Sequence, residues 1–437
     1  MLRDEIKTIK NDIFNYLVGK ENCVCGLLVK KHDTNIQTHG DFSFPNTPKS
    51  WQEFLNHDLL QNFDGTLLQY INKDVTNLIE TSNNWYIPIA RAVELKGRVI
   101  LHIDRLKSIQ ICFPNAIYNN NLILDRLNTD IEEINFQDGY KNVNCITYLR
   151  LKLLTDVVKN LYSINLYPKK AKIVISWNNR LQVEDTQIVF CGPVLDGTSG
   201  AMETNISSEE YIRKRQEEIM LIAQHKYGYR VSSDSKWKEF ISHLGESAIA
   251  FDLLQAKNCS PVKMYLGSNG GTSKGAAFIL YNCARLETII KAFNEKVDNG
   301  TYPALPPIEN IDFSLLNDKD EWSLIFNYIM GLPNLLNNCV EFTETKCEFK
   351  PHLICSFLSS MVKTVSQYYR RVRILTEPRP HLLPTLFARI HFIIILNSTL
   401  KICLRILNIK SVSQMYILFF LIPDFFIVSV TLFYSIF

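Results

Sequence analysis

The stretch "YYRRVRILTEPRPHLLPTLFARIHF", Tyr368 to Phe392, sets two adjacent tyrosines among clustered arginines and a proline-bracketed corner. Lys363, Arg370, Arg371, Arg373, Arg379 and Arg389 face one acid, Glu377. Phenol rings stack on splayed bases and guanidinium groups hold phosphates, so the chemistry on offer is recognition of single-stranded nucleic acid. A solvated basic face with tyrosines packed between helices uses the same residues, and both readings stand at this point. Upstream, in "AAFILYNCARLETII", Tyr281 and Arg285 lie four apart and share one helical face. They suit a stacking ring and a phosphate donor, or equally a core tyrosine and an arginine paired with Glu287 or a neighbouring helix.

Other chemistry is weaker. "GSNGGTSKGAA", Gly267 to Ala277, precedes a helix whose amides suit an anion. Lys274 is followed by glycine and the glycine spacing is not that of a phosphate-binding Walker loop, so it reads as a flexible loop. His39 near Asp41 lacks a nucleophile, and Cys339, Cys347, Cys355 and His352 fit no zinc spacing. No catalytic constellation and no metal site are expected.

The elements that must position these residues change character along the chain. The opening "RDEIKTIKNDIFNYL" reads as a helix leading to a short strand, "CVCGLLVK", and "WQEFLNHDLLQNF" as an amphipathic helix. "GRVILHIDR", "VNCITYLRLKLL" and "KAKIVISWN" read as strand-like or buried segments. A charged helix follows the loop at "DGTSGAMETNISSEE", capped by Ser207 or Ser208 with acids in its first turn. Beyond it come "SAIAFDLLQAK", "AAFILYNCARLETIIKAFNEKV", "EWSLIFNYIMGLPNLLNN", "PHLICSFLSSMVKTVSQYYRRVRIL" and "HLLPTLFARIHFIIILNSTLKICLRILNI", as a helical bundle requires. Pro378, Pro380 and Pro384 stop the penultimate helix and fix a corner. Tyr369 and Arg373, four apart, are expected to share that helix's face.

The chain of 437 residues has a formal net charge of +3, which permits a polyanionic partner without requiring one. Its eleven cysteines include no CxxC pair, and the charged start "MLRDEIKTIKNDIF" is no signal peptide. Reduced thiols in the cytoplasm, or the nucleus, are therefore expected. "YILFFLIPDFFIVSVTLFYSIF", Tyr416 to Phe437, has the length of a bilayer span, but Pro423 and Asp424 near its middle count against one. A tail anchor and a segment without a role both remain as readings.

"AAFILYNCARL", followed much later by "FLSSMVKTVSQYYRRVRIL" and "LFARIHFIIILNSTLKICLRILNI", resembles the all-helical DALR anticodon-binding domain of arginyl-tRNA synthetases. Tyr281, Ala284 and Arg285 stand where that family carries its "YxxYAHAR" helix, and "LNI" stands for the closing "LGI". The connector "GTYPALPPIENIDFSLL" with "DEWSLIFN" and "YYRRVRILTEPRPHLLPTLFAR" is similar to non-synthetase animal members. The resemblance spans roughly Ser247 to Met415, and the amino-terminal half shares it only through phrases such as "CGPVL". The synthetase "HxGH" turn is missing, "TSKG" only faintly echoes "KMSKS", and the amino-terminal half is short for a catalytic core.

The resulting expectation is an α+β protein: a mixed α/β region over 1–200, a charged helix and linker over 201–246, an all-α DALR-type bundle over 247–415, and a hydrophobic tail over 416–437. The resemblance implies a non-catalytic adaptor that binds arginine tRNA. It would present that tRNA to a tRNA 3-methylcytidine methyltransferase, with no cofactor of its own. The RNA-facing set would be Tyr368, Tyr369, Arg370, Arg371 and Arg373, with Lys363, Arg379, Arg389, Tyr281 and Arg285 behind them. Arg389, inside an apolar helix, best suits a structural role. The alternative is a divergent arginyl-tRNA synthetase using ATP. A protein-binding helical module is a third reading.

Overall fold

A computed structural model describes the chain except for residues 20–27, 56–62, 129–130, 132–133, 137–143, 166–171, 179, 182, 228–234, 266–273, 344–346 and 412–437. The expected span at 416–437, most of the strand at "CVCGLLVK" and residues 267–273 of the glycine-rich stretch lie outside the described residues, and residues 274–277 of that stretch begin a helix. The chain divides into two compact units. One comprises residues 2–119 and 310–334, and the other Met1 with residues 120–309 and 335–437.

The first unit begins with α1 (Glu5–Val18). Asp4 caps it by accepting from the Lys7 amide, and Gly19 ends it at φ +68°, a left-handed conformation natural to glycine. Ile6, Ile9, Ile13 and Phe14 make its buried stripe. Four antiparallel strands follow: β1 (Lys30–Lys31), β2 (Phe42–Pro45), β3 (Ile89–Leu95) and β4 (Arg98–Ile103), in the order β1-β2-β4-β3. Buried Asp41 accepts from the Ile103 amide and from Trp322 Nε1, each at 2.9 Å. Trp322 stacks on Phe326, which meets Phe42 edge-on, so the insertion at 310–334 packs with the sheet. His39 is exposed while Asp41 is fully buried, and the two are not a catalytic pair. The helix α2 (Arg105–Leu127) follows β4.

In the second unit β5 (Ile134–Phe136), α3 (Ile146–Asn165), β6 (Lys172–Ser176) and β7 (Thr186–Phe190) give a parallel sheet in the order β5-β6-β7. "VNCITYLRLKLL" thus forms a helix rather than a strand. Its buried residues, Ile146, Thr147, Arg150, Leu151, Leu154 and Thr155, recur at three- and four-residue spacing. A continuous apolar run hides that periodicity.

Arg150, 2% exposed, donates to four main-chain carbonyls: Leu253 at 3.1 Å, Gly192 and Ser260 at 2.7 Å, and Lys257 at 3.0 Å. One guanidinium thereby fixes the loops flanking a second parallel pair, β8 (Val194–Asp196) and β9 (Val262–Met264). Between these strands run α4 (Ser208–Tyr227), whose first turn is capped by Ser207, and α5 (Ser235–Leu254).

The helices α6 (Lys274–Asp298) and α7 (Pro351–Arg371) pack with α5, and α8 (Leu383–Ile406) packs against α6 and α7. Tyr302 stacks on Phe293 with ring centroids 5.6 Å apart and donates its hydroxyl to the Thr376 carbonyl. His391 Nε2 lies 2.9 Å from the Pro306 carbonyl. The proline-rich connector is therefore tied to the corner between α7 and α8. By length and composition α8 is apolar enough to cross a membrane, but it is largely buried among its neighbours, as a core helix is. The expected third bundle segment, "EWSLIFNYIMGLPNLLNN", lies mostly in the first unit, whose insertion ends at Asn334.

Candidate nucleic-acid interface

The faces of α7 separate by residue type. Ile354, Leu358, Met361, Val362, Val365 and Tyr368 are buried, whereas Ser360, Lys363, Gln367, Arg370 and Arg371 are exposed. Steps of three and four residues put the exposed set on one outward stripe. Arg370 and Arg371 occupy the last turn, where cations also complement the helix dipole.

Tyr368 does not join that stripe. It is 1% exposed and meets Phe392 edge-on, with centroids 5.8 Å apart and planes at 81°. This corrects its expected place in the RNA-facing set: adjacent helical residues diverge by ~100°, so only one of the tyrosine pair can face outward. Arg373 is a second correction. The helix ends at Arg371 and Val372 is extended, so Arg373 does not share a helical face with Tyr369.

Tyr369 turns instead toward α6. The Arg285 guanidinium lies 4.4 Å from the Tyr281 ring centroid and 4.4 Å from that of Tyr369. It also donates Nη2 to the Tyr281 hydroxyl. Two rings thus share one cation, drawn to the negative faces of their π-systems. Arg285 Nη1 is buried with no hydrogen-bond partner among the described residues. Burial raises the Tyr369 pKa, with Arg285 pulling it down and Tyr281 pushing it up, so the phenol stays protonated. Glu287 is not the partner of Arg285: it takes Lys401 and the Asn397 amide.

The remaining predicted residues lie around the corner. Arg373 and Arg379 are exposed, and Arg379 pairs at 2.6 Å with Glu377, itself exposed. Such a pair contributes ~0–1 kcal/mol. Arg389 is half-buried, and its Nη1 lies 3.5 Å from the Arg373 carbonyl. That placement suits a bracing role.

Cys339 and Cys355 are buried, and burial pushes the thiols of Cys339 and Cys347 up to about 12. Among the described residues no group of three or more His, Cys, Asp or Glu could hold a metal ion. Sequence reasoning found Tyr281, Arg285 and Tyr369 but set them in separate segments; their convergence depends on packing between α6 and α7. It missed Arg150, whose only signal is an arginine in an otherwise apolar helical face.

Residues 279–415 match the family model of the DALR anticodon binding domain. The chain is 30% identical over 238 residues to a DALR anticodon-binding domain-containing protein 3 of Danio rerio, covering 52% of this chain and 42% of that protein. The corresponding Rattus norvegicus protein is 31% identical over 231 residues, again 52% and 42%. The chain's match therefore spans less than half the length of these relatives. An arginine–tRNA ligase of Borreliella burgdorferi is 27% identical over 144 residues, 33% of this chain and 22% of the ligase. Among solved structures, Thermus thermophilus arginyl-tRNA synthetase has a TM-score of 0.51 at 9% identity, covering 95% of this chain and 100% of that one. The chain carries a DALR helical domain and has an arginyl-tRNA-synthetase-like fold.

Proposed function

We propose that this chain is a non-catalytic tRNA-binding adaptor. It recognises arginine tRNA through its DALR domain and presents it to a tRNA 3-methylcytidine methyltransferase. The observation that carries the reading is the Tyr281–Arg285–Tyr369 stack, one residue along α7 from exposed Arg370, within the DALR-matched segment. An anticodon loop offers unstacked bases and a folded-back phosphate chain. The rings supply stacking surface, and Lys363, Arg370, Arg371, Arg373 and Arg379 supply charge for phosphates. Choice of tRNA belongs to this chain and methyl transfer to its partner, so the adaptor needs no cofactor and works in the cytoplasm, with the nucleus as a second compartment.

The test is purification of the tagged protein from cells, sequencing of its bound RNA and identification of co-purifying proteins. Arginine tRNAs together with a methyltransferase are the expected result. Absence of tRNA, or of the methyltransferase, overturns the corresponding half of the reading.

The second reading, a divergent arginine–tRNA ligase, is supported by the fold shared with a whole synthetase chain. ATP would be its cofactor, and ATP-dependent loading of arginine onto tRNA by the purified chain decides for it.

A further inference from the structure

The end of α8 carries a cavity of about 570 Å³ that shares no residue with the tyrosine–arginine stack. Glu287, which holds the cavity's Lys401, is turned ~200° around α6 from Arg285. The floor is apolar, formed by Leu124, Ile402 and Ile409, and the rim carries Lys401, Arg405 and Lys410. Such a volume lies within the ~300–1,000 Å³ of small-molecule sites.

The rim cations are unequal. Lys401 is paired with Glu287, but Arg405 donates to the neutral Asn128 Oδ1. Neither Arg405 nor Lys410 has a carboxylate within ion-pair distance among the described residues. Asp156, a nearby acid, accepts from Asn408 and faces Lys152 and Lys159.

A helix C-terminus ordinarily repels anions. Here its carbonyls are spent: the Ile409 amide donates to Leu404 at 2.9 Å, and Asn160 Nδ2 to Ile406 at 3.0 Å. Asn120, behind the lining, donates to Ser398 at 3.1 Å.

We propose that this cavity is a nucleotide-binding site, with a base over Ile402 and Ile409 and a phosphate between Arg405 and Lys410. The occupant is a free mononucleotide or one nucleotide of a bound RNA strand; the phosphate and base chemistry is the same. The site stands independently of the anticodon reading, because none of its residues belongs to that interface.

The test uses the full chain with two probes, AMP and a short single-stranded RNA, in equilibrium binding. Arg405→Glu with Lys410→Glu reverses two exposed charges, and a thermal melt checks the fold. Lys263→Glu serves as the control. The double reversal is expected to weaken AMP about tenfold or more, the scale of losing charge-assisted phosphate contacts, while the control leaves AMP unchanged. If AMP does not bind, a comparable loss for the RNA probe, absent in Lys263→Glu, identifies an RNA nucleotide as the occupant. Failure of the wild type to bind either probe overturns the proposal, as does a reversal no weaker than the wild type.

Discussion

The guanidinium carbon of Arg285 on α6 lies over the ring of Tyr369 on α7, 4.4 Å from its centroid, although 84 residues separate them in the chain. The contact joins the two helices that carry the proposed RNA-facing residues. Ring and cation are held before any ligand arrives, which reduces the ordering cost of binding.

Replacing Tyr369 with alanine should weaken binding of an arginine-tRNA anticodon stem-loop by ~1–3 kcal/mol, the value of one stacked base. Its salt dependence should barely change, because no charge is lost. Tyr368→Ala should behave differently, lowering the melting temperature through a core loss of ~3–5 kcal/mol. Fluorescence anisotropy and thermal melts separate the two; equal effects in both assays would refute the distinction between the tyrosines.

Arg370→Ala with Arg371→Ala should weaken the same stem-loop and flatten its salt dependence. Each lost phosphate contact on a single strand removes ~0.7 from the slope of log K against log salt, so the pair should remove ~1.4. A titration in potassium chloride measures it. An unchanged slope would place both arginines outside the interface.

Arg150→Met should destabilise the second unit by ~3 kcal/mol or more, since several buried carbonyls lose a charged donor together. Chemical denaturation followed by circular dichroism reports this directly. A midpoint near the wild-type value would show that the carbonyls find other donors.

Glu5 gives a pH dependence. Burial raises its pKa from 4.5 to about 7, opposed by hydrogen bonds that include Asn115. The folded state therefore holds a proton that the unfolded chain has lost. Stability from this group is complete below pH 4.5 and declines as pH rises through about 7. Glu5→Gln should flatten that part of the melting-temperature profile between pH 5 and pH 8. The same profile in both proteins would mean that Glu5 does not carry the effect.

The helical carboxyl-terminal region was legible because its cues are local. Apolar residues in "MVKTVSQYY" recur at helical spacing, and Pro384 in the first turn of α8 marks the corner. The α+β class was legible as well. Less readable was anything set by packing across long separations. Nothing near Tyr368 and Tyr369 in sequence distinguishes the ring that enters the core from the one that meets Arg285. The same holds for Trp322, whose bond to Asp41 ties an insertion to the first unit's sheet. The apolar run in α3 hid a helix because both faces are well covered and alternation gives no contrast.

Ultraviolet cross-linking of the purified chain to full-length arginine tRNA, with the joined peptides and nucleotides identified by mass spectrometry, tests the central claim most directly. Anticodon-loop nucleotides attached to peptides containing Tyr281 or Tyr369 are the predicted result. A tRNA that cross-links only elsewhere on the chain, or not at all at low ionic strength, would contradict it.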